Sequence, residues 1–259
     1  MNPYTHDQHT TYERLRGSLV AWAGTKQVIM VASAVHGEGT TTVTSRLAAT
    51  MARTSIGEVL AVDLNLARPQ LHDVFGVKNT VGLKEMLRGR AELGEVLQST
   101  KLPNLKVLSV GGEHGLESTQ GMLPGEEGVD INAGGIGPSS ADDPAGSSLV
   151  RSRVIGRQNQ IVAKPQRHVD VQSCHPAFAL MRERFDFTLL DAPPLTLDPE
   201  SASLARWTDG VILVVYAGRT RWEVVEQAKV QLQLAGAKLL GVVLNRRRFA
   251  IPQWLYNSL

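Results

Sequence analysis

A glycine loop between an apolar stretch and a run of threonines constrains the fold of this chain more than any other feature. Residues 28–32 are apolar and of strand length, residues 36–39 contain two glycines, and a hydroxyl-rich segment follows. Glycines let successive backbone N–H groups converge on one anion, and a helix start adds partial positive charge. This order predicts a phosphate-binding loop with these ligand-binding candidates: Gly37, Glu38, Gly39, Thr40, Thr41 and Thr42.

The loop lacks the lysine that such a loop normally carries. Thr40 occupies the position of that lysine, and Val35 occupies the place of a further lysine that one subclass of these loops has earlier in the sequence. Thr41 stands where the magnesium-binding hydroxyl belongs. The alternative interpretation is an ordinary glycine turn that only joins a strand to a helix.

Two further apolar stretches end in polar side chains. Residues 59–69 read VLAVDLNLARP and carry Asp63, Asn65 and Arg68, while residues 185–194 read FDFTLLDAPP and carry Asp191. The carboxyl ends of parallel strands line the ligand crevice of an open α/β sheet, so we expect these groups at one site. An aspartate that closes an apolar strand can hold magnesium, directly or through water. For each aspartate, a helix N-cap in the following loop is the alternative.

Length and composition favour one α/β domain over residues 1–259. A chain of 259 residues with 42% apolar content can bury a large core, and we predict a doubly wound, mostly parallel sheet flanked by helices. The net charge of +2 argues against nucleic-acid binding. The single cysteine, Cys174, permits no internal disulfide and fits a reducing compartment. Apolar runs are only of strand length, so we predict a cytoplasmic protein whose membrane contact is peripheral or made through a partner.

Residues 113–170 interrupt this pattern. Residues 113–150 contain many Gly, Ser, Pro and acidic residues and no lysine or arginine, whereas the next segment is basic, with Arg151, Arg153, Arg157, Lys164 and Arg167. A stretch without apolar periodicity cannot bury enough surface to order itself, which predicts a disordered, protease-sensitive insertion. The basic flank either folds back on the acidic part, binds an anion, or is a solvated linker without a ligand.

Apolar periodicity predicts the remaining elements. We expect helices over residues 11–22, 82–88, 92–98, 176–184, 200–207 and 222–234, besides the helix that follows the loop. We expect strands over residues 28–32, 59–64, 105–110, 185–191, 211–216 and 240–245. The C-terminal segment places three arginines before Phe249, Trp254, Leu255 and Tyr256. It either docks on a membrane surface or a partner, or packs on the sheet edge.

Seven segments together resemble a known family. They are YERLRGSL (residues 12–19), the glycine loop, VDLNLARPQLHDVFG (62–76), GLKEMLRG (82–89), LPNLKVLSVG (102–111), FDFTLLDAPP and LLGVVLNR (239–246). They are similar to the bacterial tyrosine kinases of capsule and exopolysaccharide assembly, within the MinD/ParA-like class of P-loop NTPases. The resemblance spans the chain except for the insertion and the two ends, and DLNLARPQLHDVFG with DAPP is its most specific part.

The resemblance implies ATP or ADP and Mg²⁺ as cofactors. It makes Gly37, Gly39 and Thr41 phosphate and magnesium contacts, and it implies that Thr41, Asp63 and Asp191 bind Mg²⁺. It implies catalytic roles for Asp63, Asp191 and Arg68, and it places Asn245 and Arg246 in the loop that contacts the base. It also implies a membrane chain-length regulator or polysaccharide co-polymerase as partner, and self-association into a homo-oligomer.

The departures from the family all concern chemistry or its regulation. Thr40 replaces the lysine, Asn65 the second acid of D-x-D, and Ala67 the first of two adjacent arginines. The tyrosine-rich tail is reduced to Tyr256, and the E-x-x-R-x-x-R motif of oligomerisation keeps only its final arginine, with these residues at its three positions: Thr10, Glu13 and Arg16.

These departures favour a catalytically impaired regulatory subunit that binds nucleotide weakly. The first alternative is an active tyrosine autokinase in which Arg46, Arg68 or an arginine of a neighbouring subunit replaces the lysine. The second is a partition or positioning ATPase switch, against which Val35 and the absence of a long amphipathic C-terminal helix argue.

Overall fold

The computed structural model describes residues 3–23, 26–54, 57–112 and 171–247. Within these ranges the strands are β1 (Gln27–Ser33), β2 (Val59–Asp63), β3 (Gln98–Ser99), β4 (Leu105–Leu108), β5 (Phe187–Asp191), β6 (Gly210–Tyr216) and β7 (Leu239–Asn245). The helices are α1 (Pro3–Ala23), α2 (Thr40–Arg53), α3 (Leu71–Phe75), α4 (Leu83–Leu87), α5 (Leu93–Val96), α6 (Val171–Arg184), α7 (Pro199–Ala205) and α8 (Trp222–Leu234).

The strands form one sheet in the order β3-β4-β2-β5-β1-β6-β7. All neighbouring pairs are parallel except β3 and β4, which are antiparallel. Every residue of β2 and β5 is buried, as expected for central parallel strands covered on both faces. The prediction of a doubly wound, mostly parallel sheet is confirmed.

Each face of the sheet has its own hydrophobic core. Met30, Leu190 and Leu213 belong to one core, which also contains buried residues of α6, α7 and α8. Ile29 and Leu189 belong to the other, which contains buried residues of α1, α2 and α3. Side chains of a strand alternate between its faces, so the continuous apolar runs of the sequence supply both cores at once.

Strand register brings the polar strand ends to one edge. Asp63, the last residue of β2, pairs in register with Asp191, the last residue of β5. Asp191 also pairs with Val31 of β1, two residues before that strand ends at Ser33. Because all three strands run in the same direction, the loop after β1 and both aspartates lie at the carboxyl edge of the sheet.

Some short elements differ from the sequence-based expectations. The five-residue helix α3 and the two-residue strand β3 were not predicted. The helix predicted over residues 92–98 ends at Val96, and Gln98 instead pairs with Val107 of the neighbouring strand. The disordered insertion predicted over residues 113–170 and the C-terminal segment from residue 248 lie outside the described residues. Within the described ranges, no helix combines the length and apolar character that crossing a bilayer requires.

Gly82, at the start of α4, tests how closely the elements pack. A Cβ atom there would lie 2.2 Å from the backbone oxygen of Ser109, which already accepts the N–H of Leu83 at 2.8 Å. We expect Gly82→Ala to destabilise the fold by about 1–3 kcal/mol, because backbone must move to admit the methyl group. Gly17→Ala is the control: nothing lies within 4 Å of its Cβ position, and alanine favours a helix. Thermal unfolding tests this, and a Gly82→Ala variant whose Tm equals that of the wild type would contradict the close packing at Gly82.

Candidate functional site

The predicted phosphate loop joins β1 to α2. Gly37 and Gly39 have φ angles of 85° and 92°, which glycine adopts without steric cost. A Cβ atom at Gly39 would lie 2.2 Å from the side-chain nitrogen of Asn245. Position 39 therefore has no room for a side chain, and the loop closes directly against the end of β7.

The carboxylate of Glu38 is buried and forms hydrogen bonds that connect the loop to the end of β6 and the turn that follows it. Its Oε2 accepts the backbone N–H of Val35 at 2.9 Å, within the loop. Its Oε1 accepts the N–H of Tyr216 at 3.1 Å and the hydroxyl of Thr220, both between the end of β6 and α8. The sequence predicts Glu38 as a cofactor contact, but its carboxylate is committed to donors of the protein. Only its backbone amide is available to a phosphate.

Asp191 receives hydroxyl groups from the first turns of α2. The Thr41 hydroxyl donates to Asp191 Oδ2 at 2.7 Å. The Thr44 hydroxyl lies 3.4 Å from Asp191 Oδ1 and donates to the carbonyl of Thr40 at 3.0 Å. Thr44 was not identified from the sequence, although three residues after Thr41 is the same face of a helix. The structure thus brings Thr41 and Asp191 together.

Asp63 holds the chain that follows β2. Its Oδ1 accepts the N–H of Asn65 at 3.0 Å, and its Oδ2 accepts those of Gln70 and Leu71 at 2.8 and 3.0 Å. Leu71 begins α3, so Asp63 satisfies donors at a helix start. This resembles the N-cap role that was the alternative for this residue.

The two buried aspartates are unequally compensated. Burial raises the pKa of Asp63, and three backbone N–H groups oppose that rise. Burial raises the pKa of Asp191 well above the ordinary range, the charge of Asp63 raises it further, and the hydroxyls of Thr41 and Thr44 oppose the rise. Asp191 is therefore the carboxylate that gains more from a nearby cation.

The oxygens of Thr41 and Asp191 fit a magnesium ion. Mg²⁺ prefers oxygen ligands and is usually held by one or two protein groups, with water and substrate phosphates completing its shell. No group of three His, Cys, Asp or Glu side chains that could hold a metal occurs in the described ranges, so phosphate and water oxygens would be needed there. Asp63 lies beside Asp191, but three N–H donors occupy its oxygens. The geometry favours an indirect role for Asp63.

The turn after β2 carries Arg68 to the phosphate loop. The N–H of Arg68 donates to the side-chain oxygen of Asn65 at 3.1 Å and to its carbonyl at 3.2 Å. The Arg68 guanidinium lies 2.7 Å from Nε2 of His36, an exposed residue of the loop. A guanidinium has only donors, so Nε2 of His36 is the acceptor in this contact. Asn65 thus shapes the turn that presents Arg68.

Asn245 and Arg246, the predicted base contacts, also lie against the loop. Asn245 Nδ2 donates to the carbonyl of Glu38 at 2.8 Å, and Asn245 Oδ1 accepts the N–H of Arg246 at 2.9 Å. The Arg246 guanidinium lies 5.4 Å from the centre of the Tyr216 ring, and that of Arg219 lies at the same 5.4 Å. Asn245 therefore couples the end of β7 to the loop.

The remaining candidates lie on α2. Thr40 and Thr42 are in its first turn, and the Thr42 carbonyl accepts the hydroxyl of Ser45 at 3.2 Å. Arg46, one candidate to replace the missing lysine, lies 6.0 Å from the centre of the Tyr12 ring of α1. It lines a pocket between α1, α2 and α3, on the face of α2 that packs against other helices.

Comparison with curated proteins identifies homologues, although no family model matches the chain. Tyrosine-protein kinase CpsD of Streptococcus agalactiae serotype III (strain NEM316) is 24% identical over 221 residues, covering 85% of this chain and 74% of that protein. Tyrosine-protein kinase YwqD of Bacillus subtilis (strain 168) is 24% identical over 222 residues, covering 86% and 73%. The homologues of this chain are bacterial tyrosine-protein kinases.

Solved structures share the fold. The kinase domain of Escherichia coli tyrosine kinase ETK matches with a TM-score of 0.64 at 21% identity, covering 94% of this chain and 79% of that chain. The septum site-determining protein MinD of Pyrococcus horikoshii, complexed with Mg-ADP, matches with a TM-score of 0.58 at 21% identity, covering 90% and 76%. The fold is that of MinD-like P-loop NTPases and bacterial tyrosine kinase domains.

Replacing Asp191 by asparagine should stabilise the metal-free protein at high pH. A raised pKa means that the folded state disfavours the ionised carboxylate of Asp191. The wild-type protein therefore has its full stability below the ordinary aspartate pKa, where the group is protonated, and loses part of it as pH rises through the raised pKa. Asparagine keeps an acceptor for Thr41 without the charge. In EDTA at pH 8, the Tm of Asp191→Asn should be higher than that of the wild type, by about 2–4 °C for each kcal/mol of unfavourable ionisation that the substitution removes. The two Tm values should converge towards pH 4.

Glu183→Gln is the control for that experiment, because it removes one negative charge from an exposed position of α6. Its Tm difference from the wild type should not vary with pH in the way that of Asp191→Asn does. If the two variants behave alike from pH 4 to pH 8, the stability of the fold does not depend on the ionisation of Asp191.

Proposed function

We propose that this chain is a regulatory subunit of capsule or exopolysaccharide biosynthesis and export, which binds ATP or ADP with Mg²⁺ weakly and is impaired in phosphoryl transfer. One observation carries the proposal: the loop around Gly39 and the contact between Thr41 and Asp191 are in place, while Thr40 stands where the lysine belongs. The homologous tyrosine-protein kinases supply the biological context.

Nucleotide binding is supported by the groups that the loop retains. Backbone N–H groups of the glycine loop and the positive end of the 14-residue helix α2 favour a phosphate. Thr41 and Asp191 offer oxygen ligands for its magnesium ion. Loss of a charge-assisted hydrogen bond weakens binding by roughly 1.5–3 kcal/mol, or about one to two orders of magnitude. Binding at a high ATP concentration survives such a loss.

Phosphoryl transfer is more sensitive to the same changes. Its catalysis consists mostly of positioning and of stabilising charge on the transferred group. Thr40 contributes no positive charge and Asn65 contributes no carboxylate. The amide oxygen of Asn65 instead accepts the N–H of Arg68. Two groups that act on one transition state are therefore missing, which supports a role in binding.

The partner that we propose is a membrane chain-length regulator or polysaccharide co-polymerase. We propose that this chain binds it at the cytoplasmic face of the cell membrane. Support comes from the similarity of residues 62–76 and 185–194 to kinases that pair with such regulators. Self-association is a further proposal, based on Arg16, the arginine that remains of the oligomerisation motif. In this structure Arg16 Nε lies 2.9 Å from Glu13 Oε2 of the same helix, α1. The small net charge of +2 favours a protein partner over a nucleic acid.

An active tyrosine autokinase is the second candidate, because Arg68 contacts His36 of the loop and could supply the missing positive charge. A positioning ATPase switch is the third candidate. The likeness to MinD concerns the fold, and Val35 in place of the additional lysine counts against this candidate.

Calorimetry with ATP and ADP, with and without Mg²⁺, tests nucleotide binding. We expect weak, magnesium-dependent binding by the wild type and binding at least about tenfold tighter by Thr40→Lys, because lysine adds a charge-assisted hydrogen bond to phosphate. Thr54→Lys is the matched control, with the same added charge at the opposite end of α2, and should gain much less. Absence of heat from both the wild type and Thr40→Lys at millimolar nucleotide would refute the proposal.

Autophosphorylation separates the regulatory subunit from the autokinase. We expect the purified wild type to show none above background, and Thr40→Lys to remain slow unless Asn65→Asp is added, since lysine and carboxylate act on the same transition state. Incorporation of phosphate into tyrosine should be measured for the wild type, both single variants and the double variant. Strong labelling of the wild type that Asp191→Ala abolishes would establish an active kinase instead.

A further inference from the structure

Two arginines reach the phosphate loop from opposite sides. Arg68 follows β2 and Arg246 follows β7, and β1, which leads into the loop, lies between those strands in the order β2-β5-β1-β6-β7. Arg68 contacts His36 of the loop at 2.7 Å. Arg246 lies beside Gly39, where a Cβ atom would be 3.7 Å from its Nε. The two cations therefore lie against different parts of the loop.

The Thr41–Asp191 contact indicates where a magnesium ion would be held. In P-loop proteins the magnesium ion bridges the β- and γ-phosphates and is held by the loop hydroxyl. Asp191 ends β5, and the next strand in the sheet is β2, whose Asp63 lies opposite Asp191 in the register. A magnesium ion held by Thr41 and Asp191, and the phosphates that it binds, would therefore lie on the β2 side of the loop, from which Arg68 comes.

We propose that Arg68 supplies the terminal phosphates of ATP with the positive charge that Thr40 cannot supply, and thereby makes the site prefer triphosphates. This inference rests on the proposed nucleotide binding and names the residue that discriminates between nucleotides. A guanidinium can donate two parallel N–H bonds to a phosphate. Its contact with the loop is to the imidazole of His36 and not to a carboxylate, so a phosphate can replace that acceptor without separating the guanidinium from an anionic partner.

Asn65 positions Arg68 for this role. The Asn65 side-chain oxygen and carbonyl both accept the Arg68 N–H, and the N–H of Asn65 is itself held by the buried Asp63. This series of bonds fixes the start of the arginine side chain relative to β2. Asn65, which stands in the place of the second acid of the family motif, thus positions Arg68, the residue that we propose compensates for the missing lysine.

Equilibrium binding of Mg-ATP, Mg-ADP and AMP to four proteins tests the inference: wild type, Arg68→Ala, Arg68→Lys and Arg53→Ala. Arg68→Ala should weaken Mg-ATP binding by about tenfold or more, Mg-ADP less and AMP hardly at all. Arg68→Lys should fall between Arg68→Ala and the wild type. Arg53→Ala removes the same charge from an exposed position at the end of α2 and should change every affinity by less than about twofold.

A double-mutant cycle adds a test of shared function. If Arg68 and a lysine at position 40 reach the same phosphates, Arg68→Ala should weaken Mg-ATP binding much less in the Thr40→Lys background than in the wild type. Unchanged far-ultraviolet circular dichroism and Tm should accompany the Arg68 variants, since Arg68 is exposed.

The outcomes separate this inference from the proposed function. If the wild type binds Mg-ATP and Arg68→Ala binds it as tightly as Arg53→Ala does, the role of Arg68 is refuted while nucleotide binding stands. An equal loss of affinity for ATP and AMP on Arg68→Ala also refutes it, because the arginine then does not face the terminal phosphates. If neither the wild type nor Thr40→Lys binds nucleotide, the proposed function itself is refuted.

Discussion

Three carboxylates are buried at the carboxyl edge of the sheet, and the way each is compensated decides what the site can bind. Glu38, Asp63 and Asp191 are each at most 1% exposed, and a buried charge without partners is costly. Glu38 and Asp63 each accept three hydrogen bonds from the protein. Among the described residues, the carboxylate of Asp191 accepts hydrogen bonds only from the hydroxyls of Thr41 and Thr44, and it faces the charge of Asp63. A cation is the natural partner for Asp191, and the magnesium ion of a nucleotide would also find the Thr41 hydroxyl there.

The loop forms without a lysine because other groups determine its shape. Gly37 and Gly39 supply the positive φ angles, the Glu38 carboxylate ties the loop to the end of β6, and the Asn245 amide donates to the Glu38 carbonyl. None of these contacts involves the side chain of residue 40. The shape of the loop therefore does not depend on a lysine at position 40, and the proposed consequences of Thr40 concern ligand affinity and catalysis only.

Continuous apolar runs made the central strands predictable from the sequence, because parallel strands buried on both faces need apolar residues at nearly every position. α3 and β3 were missed because five or two residues do not complete a detectable period. The helix prediction over residues 92–98 was wrong at Gln98, which belongs to the edge strand β3 and pairs with β4. The hydrogen bonds from Glu38 to the end of β6 and from Thr44 to Asp191 were not predicted, because these partners lie 147–182 residues away in the sequence and only the fold brings them together.

The two main departures from the kinase pattern, Thr40 and Asn65, balance each other in charge. In the kinases that this chain resembles, the lysine is positive and the second acid of D-x-D is negative, whereas both positions are neutral here. A carboxylate at position 65 without the lysine would repel a phosphate, and the amide removes that repulsion while keeping the oxygen that accepts the Arg68 N–H. Positions 40 and 65 thus lose one charge of each sign together, which agrees with the proposed role of holding a nucleotide rather than transferring its phosphate.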